Sequence, residues 1–238
     1  MVLSYPLLNL VVQPGAPEGS VTLHGPRTAV SYRVLSGRGW AVGTLLRPTG
    51  VPAMLAATHP RVTSIRSLVN SWTAVDAPDL MSDVLSRMAE DRPRRIESAV
   101  EAVAAWLRER LLERGAPDHD ARLANALLEI VDAAPSGTNP RRDAELPRRV
   151  AEVAQELGTS TRTLERIALG YTGFTPAALI RRRRLQDAAD RLRRDPTIDL
   201  ARLATEVGYA DHAHLTRDFR QVLGFTPSVY REDQHGPT

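Results

Sequence analysis

The sequence predicts an α+β chain: a β-rich N-terminal region, a helical middle, and an all-α C-terminal domain built from a duplicated unit. Three observations carry this. Short apolar runs broken by Gly/Pro turn signals fill residues 1–60. From about Asp79 the apolar spacing takes the helical period. After Pro147 one pattern occurs twice: short helix, glycine, second helix, then Gly-Phe-Thr-Pro.

Composition bounds the rest. A length of 238 residues with 42 % apolar side chains suits one or two packed domains. There is no cysteine, which excludes disulfides, thiol nucleophiles and cysteine–metal sites and fits a reducing compartment. No apolar run is long enough for a membrane span. The opening MVLSYPLLNLVVQPG lacks a basic n-region, so no signal peptide is expected and a cytoplasmic location is. All 31 basic residues are arginine. Residues 1–140 balance 14 Arg against 14 acids, whereas residues 141–238 hold 17 Arg and 14 acids, so the net +3 sits in the C-terminal part.

In chain order, strands are expected at Leu7–Val12, Val21–His24, Val30–Leu35 and Trp40–Leu46, with turns at PGAPEG, GPR, SGRG and RPTG. Leu80, Val84, Leu85 and Met88 form a first helical stripe. Pro93 suits the first turn of a longer helix, with Ile96, Val100, Val103, Leu107 and Leu111 as its apolar face and Gly115 as its stop. Residues 118–131 read as a third helix, with Leu123, Leu127, Ile130 and Val131 inward. The Pro-rich stretch that follows marks the domain boundary: residues 1–135 form the N-terminal domain, 136–147 a linker, and 141–232 the C-terminal domain.

The duplicated unit carries the chemistry. Val150, Val153, Ala154 and Leu157 repeat the spacing of Leu200, Leu203, Ala204 and Val207, an offset of 50. Leu164, Arg166 and Gly173-Phe174-Thr175-Pro176 match Leu215, Arg217 and Gly224-Phe225-Thr226-Pro227 at an offset of 51. Gly158 and Gly208 supply the turn, and Asp211 an N-cap. In each tetrapeptide Gly ends a helix, Thr caps the next, Pro starts it, and Phe staples onto Leu179 or Tyr230. Each unit is a helix-turn-helix.

The second helix of the later unit, about 211–223, buries Leu215, Phe219, Val222 and Leu223. It turns His212, Ala213, His214, Thr216, Arg217, Arg220 and Gln221 outward, a face of donors and cations that a DNA major groove accepts. The earlier unit offers Arg162, Thr163, Glu165 and Arg166, with Ser160 beside them as a phosphate contact. Glu165 suits either cytosine or a neighbouring arginine. Ala168, Leu169 and Gly170 stand where the later unit has Phe219, Arg220 and Gln221. A thinner core and weaker binding by the first unit are therefore expected. Residues 176–194 form the helix joining the units, and its run Arg181–Arg184 is read mainly as a solvated face, with Arg181 and Arg184 as phosphate contacts. Two units on one face of a duplex would meet grooves roughly 34 Å apart.

At this level of detail the chain resembles the AraC/XylS family of transcriptional regulators. The resemblance rests on Arg162-Thr163-Leu164-Glu165-Arg166, both GFTP segments, Arg184-Leu185, Gly208-Tyr209-Ala210-Asp211, His214 through Arg220, and Tyr230-Arg231. It implies a seven-helix DNA-binding domain with two helix-turn-helix motifs. The N-terminal region is similar, through Asn9-Leu10-Val11-Val12, His24-Gly25, Gly37-Arg38-Gly39, Gly43, Arg47-Pro48 and Gly50, to a small sensor-like domain of unknown function that precedes this module in many members. That likeness transfers no ligand.

The expected function is therefore sequence-specific regulation of transcription, controlled through the N-terminal domain. Double-stranded DNA is the principal partner. RNA polymerase, a small-molecule effector and a second copy of the chain are further candidates; a membrane, a cofactor and a metal are not. His24, Tyr32, Trp40 and Arg47 are the candidates for an effector pocket, against the alternative that the two aromatics are core and the other two surface. No catalytic motif is present. The competing reading is a small-molecule sensor or enzyme-like domain whose helical C-terminus is a protein-interaction adaptor.

Overall fold

The computed structural model describes residues 5–15, 21–29, 39–58, 64–89, 94–132 and 149–234. Strand β1 (Leu8–Val12) pairs antiparallel with β2 (Val21–His24) on one side and β3 (Val42–Leu46) on the other. A three-residue strand β4 (Trp72–Ala74) extends the sheet beyond β2, giving the order β3-β1-β2-β4. The pleat alternates as the sequence does, so Leu8, Leu10 and Val12 point to one face and are fully buried, with Val21 and Leu23 beside them. Three helices pack on that face: α1 (Val51–Ala56), α2 (Pro78–Arg87) and α3 (Arg95–Arg114). Met54, Leu80, Met81, Val84, Val103 and Leu107 join the strands in one core.

The expected strand over Val30–Leu35 lies outside the described residues, as do Pro93 and the 136–147 linker. Strand β4 and helix α1 were not expected. The apolar face read for α3 needs correction. Ile96, Val100 and Leu111 are exposed, and Ala99 and Ala102 are buried in their place beside Val103 and Leu107. The small residues let α3 approach the core closely and leave bulky ones at its flank. Leu85 of α2 is likewise exposed, and Met81 is inward.

Helix α4 (His119–Asp132) begins on an Asp118 cap whose Oδ1 accepts the Ala121 N–H at 2.7 Å. It is followed by α5 (Val150–Glu156), α6 (Thr161–Thr172), α7 (Pro176–Arg194), α8 (Leu200–Glu206), α9 (His212–Leu223) and α10 (Pro227–Gln234). Leu127, Leu128 and Val131 of α4 share a core with Val153, Ala154, Leu164, Ala168, Phe174, Leu179 and Ile180. The seven-helix count is thus reached by adding α4 to the six helices of 149–234. A second core gathers Leu185, Leu192, Leu203, Val207, Leu215, Phe219, Leu223 and Tyr230. Long α7 contributes to both cores and so fixes the two units against each other. Among the described residues, no helix is long and apolar enough to cross a membrane.

Candidate nucleic-acid interface

Two helix-turn-helix units are built by α5–α6 and α8–α9. The local chemistry is as the sequence implies. Gly158 and Gly208 adopt positive φ of 62° and 82° between the paired helices, where an L side chain is strained. Ser160 caps α6 by accepting the Thr163 N–H at 3.1 Å, and Asp211 caps α9 by accepting the His214 N–H at 2.7 Å. Thr175 and Thr226 cap α7 and α10 by accepting the Ala178 and Val229 N–H groups. Phe225 stacks on Tyr230 with ring centroids 5.6 Å apart, and Phe174 is buried with Leu179.

The two outward faces differ. On α9, Leu215 and Phe219 are wholly buried, while His212, Ala213, His214, Arg217, Arg220 and Gln221 are exposed and Thr216 is half-buried. His212, Ala213, Thr216, Arg217, Arg220 and Gln221 line, with Thr226, a concavity of about 580 Å³. On α6, Arg162, Glu165 and Arg166 are exposed and Thr163 is half-buried. Arg166 does not stand alone, because its Nη2 lies 2.8 Å from Asp120 Oδ2 of α4. The Ser160 hydroxyl is already engaged with Thr163.

The expected thinning of the first unit's core is not what the structure shows. Ala168 is fully buried in the core that α4 joins with Leu127, Leu128 and Val131. The small side chain makes room for α4, a partner that helical periodicity alone does not announce.

The Arg181–Arg184 run is also corrected: it is a joint, not a solvated face. Arg181 Nη2 donates to Asp218 Oδ1 at 2.9 Å and to Gln221 Oε1 at 2.6 Å. Its Nε sits 2.6 Å from Asp218 Oδ2 but off the donor direction, so that contact is Coulombic rather than a directed bond. Arg182, 5 % exposed, donates to the Arg27 carbonyl at 3.0 Å and lies over the Phe174 ring. Its burial lowers its pKa to about 10, still far above neutrality. Arg183 pairs with Asp187 at 3.1 Å, and Arg184 donates to the Gly208 carbonyl at 3.2 Å. Arg181 and Arg184, candidates for phosphate contact, therefore bind α9 and the second turn.

The N-terminal domain meets the first unit at the end of α6. Tyr171 packs against the N-terminal core, and its hydroxyl donates to the Asp118 carboxylate at 3.0 Å. Burial first, and that hydrogen bond second, push the Tyr171 hydroxyl up to about 12. A cleft of about 710 Å³ lies here, with Val51, Leu55, Arg114, Asp118, Gly170 and Tyr171 among its walls.

Each described effector-pocket candidate has a local partner of its own. His24 stacks with Trp72 and lies 2.9 Å from the Thr22 hydroxyl. Trp40 packs on the N-terminal core, and Arg47 pairs with Glu129 of α4 at 3.5 Å. Tyr32 lies outside the described residues.

Comparison with known proteins agrees with the C-terminal architecture. Residues 153–233 match the family model described as a helix-turn-helix domain. Over 114 residues the chain is 32 % identical to an uncharacterized HTH-type transcriptional regulator of Haemophilus influenzae, an alignment covering 48 % of this chain. The chain spans 34 % of that relative's length. Among solved structures it is similar to ToxT from Vibrio cholerae O395, with a TM-score of 0.43 and 14 % identity, covering 97 % of this chain and 86 % of that one. It is similar at a TM-score of 0.42 and 14 % identity to unsaturated fatty acid bound wild-type ToxT from Vibrio cholerae strain SCE256, covering 94 % of this chain and 83 % of that one. By its family match and its paired units, the segment 153–233 is a helix-turn-helix domain.

Proposed function

We propose that this chain is a sequence-specific DNA-binding transcriptional regulator that reads two adjacent major grooves. The observation that carries the reading is the outward face of α9. Its exposed His212, His214, Arg217, Arg220 and Gln221 stand on a helix whose other side is locked by Leu215 and Phe219. Thr216 and Ala213 complete that face. On α6, Arg162, Thr163, Glu165 and Arg166 are the corresponding contacts, with Ser160 at the helix start. The DNA-binding unit is proposed to comprise α4–α10, and the preceding residues a sensor domain in a cytoplasmic protein. RNA polymerase is a further partner in this reading, and an effector of unstated chemistry acts through the N-terminal domain.

Self-association belongs to the same proposal. One flank of α3 exposes Ile96 at 63 %, with Val100 and Leu111 beside it, an apolar row suited to a second copy.

The test is a mobility shift of the full chain on fragments of its own genome at several salt concentrations. Retention of particular fragments, with affinity falling by a log–log slope of about 0.9 per phosphate contacted, is the expected result. Equal retention of all fragments would sink the sequence-specific reading. Sedimentation of the full chain with Ile96→Glu tests the dimer: a wild-type monomer at high concentration would remove it.

A further inference from the structure

The polar seam between α7 and α9 joins the buried Asp218 to two residues of the outward face. His214, Asp218 and Gln221 follow one line along α9 at i, i+4 and i+7. Asp218 is 7 % exposed and holds Arg181, and His214 Nε2 lies 3.9 Å from the same Oδ2. Arg181 in turn donates to Gln221 at 2.6 Å. A guanidinium has donors and no acceptor, so the Gln221 atom facing it must be the carboxamide oxygen. The exposed remainder of Gln221 is then its –NH₂.

We infer that Asp218 and Arg181 are positioning residues that present Gln221 to nucleic acid as a donor only. The inference rests on the DNA-reading proposal above. A free glutamine reads adenine through an acceptor and a donor together, at N6 and N7. With its oxygen turned to α7, Gln221 lacks the acceptor half. It selects a group that only accepts: a phosphate oxygen, or the O6/N7 edge of guanine. The buried Asp218 carboxylate keeps Arg181 from swinging out to solvent, so the seam converts an ambivalent side chain into a directional one.

The test uses the full chain and a pool of random-sequence duplexes, with retained DNA sequenced and affinities measured on the winning duplex. Gln221→Ala should cost about tenfold in affinity, as loss of a hydrogen bond to a charged or strongly accepting group does. Arg181→Ala should cost about the same, and the double variant no more than either single one. A uniform loss across sequences identifies phosphate as the partner; loss of one guanine preference identifies a base edge; either upholds the inference. An adenine preference that disappears with Gln221→Ala would overturn it, as would additive losses in the double variant or no effect of Gln221→Ala. If thermal melting shows Arg181→Ala unfolded, Asp218→Asn takes its place in the same cycle with the same expectations. A wild-type chain that enriches no sequence overturns the DNA-reading proposal and this inference together; enrichment with additive losses overturns this inference alone.

Discussion

Asp120 Oδ2 lies 2.8 Å from Arg166 Nη2, so the outward cation of α6 already carries a counter-ion supplied by α4. The pair is solvent-washed, with Arg166 64 % and Asp120 31 % exposed, and pairs of this kind contribute no more than about 1 kcal/mol. Its larger consequence is electrostatic. Asp120→Asn should leave the melting temperature nearly unchanged while raising affinity for DNA and steepening the log–log salt slope by up to about 0.9. Mobility shifts across a salt series check this, and an unaltered slope and affinity would refute it.

The Asp118–Tyr171 bond ties α4 to the end of α6 and gives the fold a pH dependence at both extremes. The Ala121 N–H, aided by the Tyr171 hydroxyl and by Arg122 and Arg114, holds the Asp118 carboxyl below its ordinary 3.8. A depressed folded pKa stabilises above the unfolded value and is lost as pH falls through the folded one. Tyr171 runs the other way. Its pKa is raised from 10.0 to about 12, so its contribution is present below 10.0 and is lost as pH climbs through that window. Asp118→Asn should flatten the acid limb of a stability–pH curve and Tyr171→Phe the alkaline limb, as read by denaturant unfolding at each pH.

Much of this architecture was legible from short-range chemistry. Asp211, Gly208 and the two GFTP segments act on backbone groups within a few residues, so their sequence positions already state what they do. What escaped depends on partners distant in sequence. Periodicity marked Leu127 and Val131 as inward but not that they face Leu164 and Ala168 rather than the sheet. Four consecutive arginines look solvated until Asp218, 37 residues away, closes on Arg181. On α3 the bulky residues outscored Ala99 and Ala102, although small side chains are what a close helix approach buries. Helix α1 is six residues long, too short to show a period.

Gly173 and Gly224 end the two recognition helices in the same left-handed conformation, at φ of 75° and 86°, but in different surroundings. A Cβ on Gly173 would lie 2.7 Å from Val69 Cγ2, whereas one on Gly224 would meet nothing within 4 Å. Both alanine variants carry the conformational cost of about 1–2 kcal/mol. Gly173→Ala adds a clash at the joint with the N-terminal domain and should therefore melt at the lower temperature. Equal melting points would mean that the joint yields freely.

Ala168 and Phe219 occupy matching positions, and both are wholly buried. Phe219→Ala should cost about 3–5 kcal/mol, the range for an emptied aromatic site. Ala168→Phe, although it copies the second unit, should cost about 1–3 kcal/mol by forcing α4 outward. Urea unfolding of both variants measures this. A stabilised Ala168→Phe would show that the first core does have vacant space.

The same asymmetry extends to the outward cations of the two units. Arg217 is exposed on α9 and has no ion pair to any described residue, so its charge is available in full to a guanine edge or a phosphate. Arg166 must first exchange Asp120 for its new partner, and the net gain is the difference between the two. Arg220 and Gln221 extend the α9 face, where α6 has half-buried Leu169 and exposed Gly170. Arg217→Ala should therefore lower specific affinity by at least about tenfold, within the roughly 1–3 kcal/mol of a bidentate base contact. Arg166→Ala should lower it by clearly less. Combining Arg166→Ala with Asp120→Asn sharpens the comparison: once the counter-ion is gone, restoring Arg166 should give a larger gain than it does in the wild type. Mobility shifts on one selected duplex measure the wild type and the four variants, and equal losses for Arg217→Ala and Arg166→Ala would abolish the claim that recognition leans on the second unit.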